Sequence, residues 1–156
     1  MATGGLNHSG GRRAGRTKNG TALPSKLVFT IPSNHDAQAA AQDQILDRVG
    51  KAGFNGSEFF AIKLALEEAL VNAIRHGNRL DPAKRVHIEA RITPQKVEFL
   101  IEDEGPGFDR KGVPDPTAEE NLEKCSGRGI LLMESYMSRV WWDRGGRRLR
   151  MIKEHV

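Results

Sequence analysis

The sequence predicts an α+β fold, a two-layer sandwich of a mostly antiparallel mixed sheet with helices on one face. Three observations carry this. The predicted elements run strand, helix, helix, two strands, a long loop, helix, two strands. The strand-to-strand links at Pro94-Gln95 and Arg144-Gly145-Gly146 are too short for anything but antiparallel hairpins. No strand–helix–strand alternation demands a doubly wound parallel sheet.

Each element follows from local chemistry. Leu27, Phe29 and Ile31 alternate as in a strand that Pro32 ends. From Asn34 to Gly50, Ala37, Ala40, Ala41, Ile45, Leu46 and Val49 fall at helical spacing, with Ser33 or Asn34 as cap. Ser57 is the expected cap of a second helix built on Phe59, Ile62, Leu66, Ala69, Leu70 and Ala73, stopped by His76-Gly77-Asn78. Val86, Ile88, Ala90 and Ile92 alternate with His87, Glu89 and Arg91, giving a half-exposed strand. A second strand runs from Lys96 to Asp103. Residues 104–127, rich in Gly, Pro and charge, read as a functional loop or lid. A helix over 129–137 follows, then strands over 138–143 and 147–153. Adjacent Trp141 and Trp142 should face opposite sides of their strand.

The chain of 156 residues is 38% hydrophobic and 28% charged, a balance suited to one folded domain rather than several. No apolar run approaches the roughly 18 residues of a membrane span, and no apolar segment follows the N-terminal charges as in a secretory signal. A cytoplasmic setting is expected. Cys125 is the single cysteine, so no internal disulfide or cysteine-cluster metal site is available. Residues 1–26 carry Arg12, Arg13, Arg16, Lys18 and Lys26 and no acid, leaving 19 basic against 20 acidic side chains elsewhere. The net charge of +4 therefore belongs to the tail, and direct nucleic-acid binding by the body is not expected. Residues 1–25, glycine-rich and poor in large apolar groups, read as a disordered basic tail, and residues 26–156 as the folded domain.

Three segments carry chemistry. On one helix, Glu68, Asn72 and His76 follow at intervals of four. A carboxylate able to take a proton thus stands one turn from an amide oxygen suited to Mg²⁺. Asp103-Glu104-Gly105-Pro106-Gly107 sets an acid at a strand end beside two glycines that admit a ligand close to the backbone. Ser126-Gly127-Arg128-Gly129-Ile130 opens a helix whose first N–H groups could face an anion. Neither a Walker loop nor a dinucleotide fingerprint is present. Each segment alone also fits an ordinary polar helix face, glycine turn or helix start.

Together and in this order, the three segments resemble the N, G1 and G2 boxes of the Bergerat-fold ATP-binding superfamily. Within it the chain is most similar to the bacterial anti-sigma-factor serine/threonine-protein kinases, over about residues 26–153. The resemblance implies ATP and Mg²⁺ as cofactors. Asn72 would bind the metal, Glu68 would orient or deprotonate the attacking hydroxyl, and Asp103 would accept from the adenine amino group. Gly105 and Gly107 would shape the adenine pocket. Gly127, Arg128, Gly129 and Ile130 would form the phosphate-side turn, with Arg75 and His76 nearby. Lys124 could add a lid cation, although the family pattern around Cys125 is not cleanly matched. The implied partners are a sigma factor and a STAS-type anti-anti-sigma protein that is phosphorylated on serine or threonine, and a homodimer is expected. A nucleotide-dependent protein-binding switch without phosphotransfer would carry the same binding motifs. A histidine kinase proper is disfavoured, because no helical hairpin with a phosphoacceptor histidine precedes the domain.

Overall fold

A computed structural model describes residues 24–107 and 127–156. The basic tail, Lys124, Cys125 and most of the lid lie outside the described residues. Strand β1 (Ser25–Pro32) leads into helix α1 (His35–Lys51) and helix α2 (Gly56–Val71), which runs on into a π turn over Asn72–Gly77. Strands β2 (Arg85–Ile92) and β3 (Lys96–Glu102) follow, then helix α3 (Gly127–Tyr136), strand β4 (Arg139–Asp143), a 3₁₀ turn over Arg144–Gly146 and strand β5 (Arg148–Glu154).

The five strands form one sheet in the order β1-β2-β3-β5-β4, and all four pairings are antiparallel, so no parallel pair occurs among the described strands. The alternation expected of each strand is what buries one face. Leu27, Phe29, Ile31, Val86, Ile88, Ala90, Ile92, Val97, Phe99, Ile101, Leu149 and Met151 turn toward the helices and form one core with α1, α2 and α3. The opposite face carries the charged partners of each strand. There Asp143 takes ion pairs from Arg148 and Arg150 across the β4–β5 hairpin, and the Arg139 guanidinium lies 4.9 Å from the Trp141 ring centroid. The two tryptophans do face opposite sides, Trp142 packing on the core.

Some boundaries move. Asn34 caps α1 as expected, its side-chain oxygen accepting from the Ala37 N–H at 2.8 Å. Helix α2 starts at Gly56 with Asn55 before it, so Ser57 lies inside the helix rather than at its cap. A glycine at φ 55° lets the chain turn into the helix two residues earlier than the hydroxyl signal suggests. No helix among the described residues is long and apolar enough to cross a membrane.

Candidate nucleotide site

Between the helices and the sheet lies a cavity of ≈ 140 Å³. Its helix wall is a single stripe of Ala69, Asn72, Ala73 and His76, spaced as i, i+3, i+4 and i+7. Its sheet wall is a cross-strand row. Ile101 pairs with Leu149, Leu149 pairs with Trp142, and all three line the space. Asp103 lines the space too, with Gly77, Pro106 and Gly107, and Ile130 of α3 completes the wall.

The strand end is placed by the sheet. The Asp103 N–H donates to the Arg147 carbonyl at 3.0 Å, extending the β3–β5 ladder one step past Glu102. The backbone then turns, and the Gly105 N–H donates back to Asp103 Oδ1 at 2.8 Å. Two glycines make this packing possible. A Cβ on Gly77 would overlap the Asp103 carboxylate, and one on Gly105 would overlap the Gly77 carbonyl. At Gly107 the backbone is left-handed (φ 80°), and a Cβ there would strike the Gly145 carbonyl.

Asn78 locks the arrangement. Its side chain is buried, and Nδ2 donates to Ser33 Oγ at 3.0 Å and to the Arg85 carbonyl at 2.9 Å. Its Oδ1 accepts from the Glu104 N–H at 2.8 Å. One amide thus ties the residue that follows β1, the start of β2 and the glycine loop together. It reaches this spot because the chain winds through the π turn, in which the Asn78 N–H donates to the Ala73 carbonyl five residues back. Arg79 and Leu80 follow with φ of 52° and 57°, a left-handed pair unusual outside glycine, and Arg79 lines the cavity.

Of the predicted site residues, Asn72, His76, Asp103, Gly107 and Ile130 meet around the cavity. Gly105 stands behind Asp103 as a hydrogen-bond donor. Glu68 and Arg75 are not on the cavity wall, because the stripe that faces it runs through Ala69 rather than Glu68. Gly127, Arg128 and Gly129 form the first turn of α3 instead of a loop before it, since that helix begins at Gly127. Their N–H groups are still those of a helix start, which lack intrahelical acceptors. Lys124 lies outside the described residues. Sequence reasoning missed Trp142, Leu149 and Gly146 as cavity residues, together with the anchoring role of Asn78. The alternation of β4 and β5 assigns Trp142 and Leu149 to the inner face, but only the strand order brings that face to Asp103.

The electrostatics are those of a half-dry site. Burial pushes the Asp103 carboxyl above its ordinary value, while the Gly105 N–H pulls in the opposite direction. Burial, then the neighbouring Glu67 charge, raises Glu68. Burial, then Arg75, lowers His76 and favours its neutral imidazole. Asn72 Oδ1 is buried with no hydrogen-bond partner among the described residues. Such an orphaned hard oxygen on a cavity wall fits a divalent cation arriving with a phosphate ligand. No cluster of three or more His, Cys, Asp or Glu is set for a metal among the described residues.

A family model described as the histidine kinase-like ATPase domain matches residues 31–153, which contain every wall of this cavity. The chain belongs to that family. Within the family it is 31% identical over 121 residues to the anti-sigma F factor of Oceanobacillus iheyensis, covering 76% of this chain and 82% of that protein. It is also 23% identical over 131 residues to the serine-protein kinase RsbW of Listeria monocytogenes, covering 79% and 83%. This is the branch of anti-sigma-factor serine/threonine-protein kinases, an enzyme family. A crystal structure of the RsbU and RsbW domains of a Mycobacterium tuberculosis protein matches with a TM-score of 0.55 at 17% identity. It covers 84% of this chain and 31% of the longer one, and so shares the fold, the Bergerat type expected from the boxes.

Proposed function

We propose that residues 26–156 bind Mg·ATP in this cavity and transfer its γ-phosphoryl group to a serine or threonine of a STAS-type anti-anti-sigma protein. In its other state the same chain sequesters a sigma factor, as a cytoplasmic homodimer. The observation that carries the reading is that Asn72, whose buried amide oxygen has no hydrogen-bond partner among the described residues, lines one cavity with Asp103.

Asp103 accepts a hydrogen bond from the adenine amino group, which distinguishes adenine from guanine. Asn72 would hold the magnesium ion, which when bound neutralises phosphate charge. The N–H groups of Gly127, Arg128 and Gly129 face the phosphates, while Gly105 and Gly107 keep the adenine end open. The partner's hydroxyl oxygen attacks the γ-phosphorus, the bond from that phosphorus to the β–γ bridging oxygen breaks, and ADP leaves. The hydroxyl proton passes to the Glu68 carboxylate, whose raised proton affinity suits a base. The phosphorylated partner carries up to about two added negative charges and loses its hold on this chain.

The test is transfer from γ-labelled ATP to a STAS partner by wild type and by Glu68→Gln. Transfer should fall on the order of a hundredfold or more in the variant while ADP affinity holds. A second reading is favoured by one observation, the position of Glu68 off the cavity wall. In that reading the chain is a nucleotide-dependent protein-binding switch without phosphotransfer. It is chosen if wild type binds ATP, changes its partner affinity and transfers no label.

A further inference from the structure

We propose that Trp142 supplies the aromatic wall of the base site and makes it prefer a two-ring base over a one-ring base. The proposal rests on the nucleotide reading above and adds to it a residue and a specificity. The chain has two tryptophans, adjacent on β4, and strand parity sends them to opposite faces. Trp141 goes to the open face, beside Arg139. Trp142 turns inward and lines the cavity in register with Leu149 and Ile101.

Opposite this row the helix wall offers Ala69 and Ala73, each a single methyl. An indole and two methyl groups on the walls of one cavity give an apolar slot, and Asp103 lines the same space. The carboxylate alone cannot exclude cytosine, which also presents an exocyclic amino group. The slot can. A fused purine covers more of an aromatic wall than a single pyrimidine ring, and base–aromatic contact changes affinity by roughly 5- to 150-fold per base.

The test uses Trp141→Phe, which leaves Trp142 as the sole tryptophan and touches only the open face. Its emission should change saturably on titration with Mg·ADP, with the Kd found by calorimetry on the same protein. In Trp142→Leu, ADP affinity should fall about tenfold while CDP affinity moves less than threefold, narrowing the ADP-to-CDP ratio. Trp142→Met, a flexible apolar side chain without a ring, should narrow that ratio as the leucine change does, whereas Trp142→Phe should retain most of it; the methionine variant decides the matter if the leucine variant does not fold. Emission that stays flat through a calorimetrically verified ADP titration overturns the proposal, as does an unchanged ADP-to-CDP ratio in folded Trp142→Leu. Absence of ADP heat in wild type is a different result: it removes the nucleotide reading itself, and this proposal with it.

Discussion

Gly77→Ala separates the shape of the base site from the stability of the fold. The φ of Gly77 is not left-handed, so alanine fits its backbone, and the added methyl meets the Asp103 carboxylate. The ideal Cβ stands 2.7 Å from Asp103 Oδ1 and nearer still to Cγ and Oδ2. Ordinary contact begins near 3.4 Å, so the nearest carboxylate atoms have to retreat by about 1 Å. A carboxylate can do that, because it is the free end of a side chain. The cost to the fold is then the strained hydrogen bond from the Gly105 N–H, about 1–2 kcal/mol. The cost to the ligand is larger. Losing one hydrogen bond to a charged acceptor removes about 1.5–3 kcal/mol, or roughly 10- to 150-fold in Kd for ADP. Calorimetry with Mg·ADP and a urea melt on the same samples measure both. Asp103→Ala removes the atoms the methyl strikes, so Gly77→Ala/Asp103→Ala should match Asp103→Ala in both assays. Wild-type ADP affinity in folded Gly77→Ala would refute the reasoning. So would a melt in which the glycine substitution costs as much without the carboxylate as with it.

Further outcomes follow from the same site. Asn78→Ala removes an amide that makes three buried or half-buried hydrogen bonds, and urea unfolding should show a loss of about 3–5 kcal/mol; under about 1 kcal/mol would contradict its anchoring role. Asn72→Ala should weaken ADP on the order of 10–100-fold with magnesium present and hardly at all in EDTA, while the ligand-free melt holds because the lost oxygen had no partner among the described residues. The raised proton affinity of Asp103 gives two opposite pH effects. ADP needs the ionised carboxylate, so affinity should drop as pH falls through the raised value. The ligand-free fold prefers the protonated acid, so its stability contribution is full at low pH and fades as pH rises through the same value. Asp103→Asn should remove this component of both pH dependences, and an unaltered ADP profile in that variant would count against the assignment.

The strands and helices were legible because each buries one face, and the alternation of Val86, Ile88, Ala90 and Ile92 or the rhythm of Ile62, Leu66 and Ala69 states that face directly. The chemistry-bearing residues were legible where spacing along one element sets the geometry, as for Asn72 and His76. Glu68 shows the limit of spacing. Four residues separate it from Asn72, yet the stripe facing the cavity is centred one residue further on, and only the packing of α2 on the sheet fixes that rotation. The π turn could not be read, since its five-residue hydrogen bond leaves no mark in apolar periodicity. Nor could the meeting of Ile101 with Leu149 and Trp142, since the β4–β5 hairpin lies far from β3 in the chain and comes beside it only through the order β3-β5-β4.

The extra residue wound into the π turn makes this stretch forgiving of one particular change in length. A π turn spends five residues on roughly the rotation that a regular turn reaches in four, so excising one codon between positions 73 and 77 would let the backbone relax into a regular helix with its exit direction little changed. The bond from the Asn78 N–H to the Ala73 carbonyl would become an ordinary helical one, and the buried amide of Asn78 would stay in the gap between Ser33 and Glu104. A library of single-codon deletions should therefore be less depleted at a position such as exposed Arg75 than in the regular turns of α2, where losing one residue rotates everything after it by about 100°.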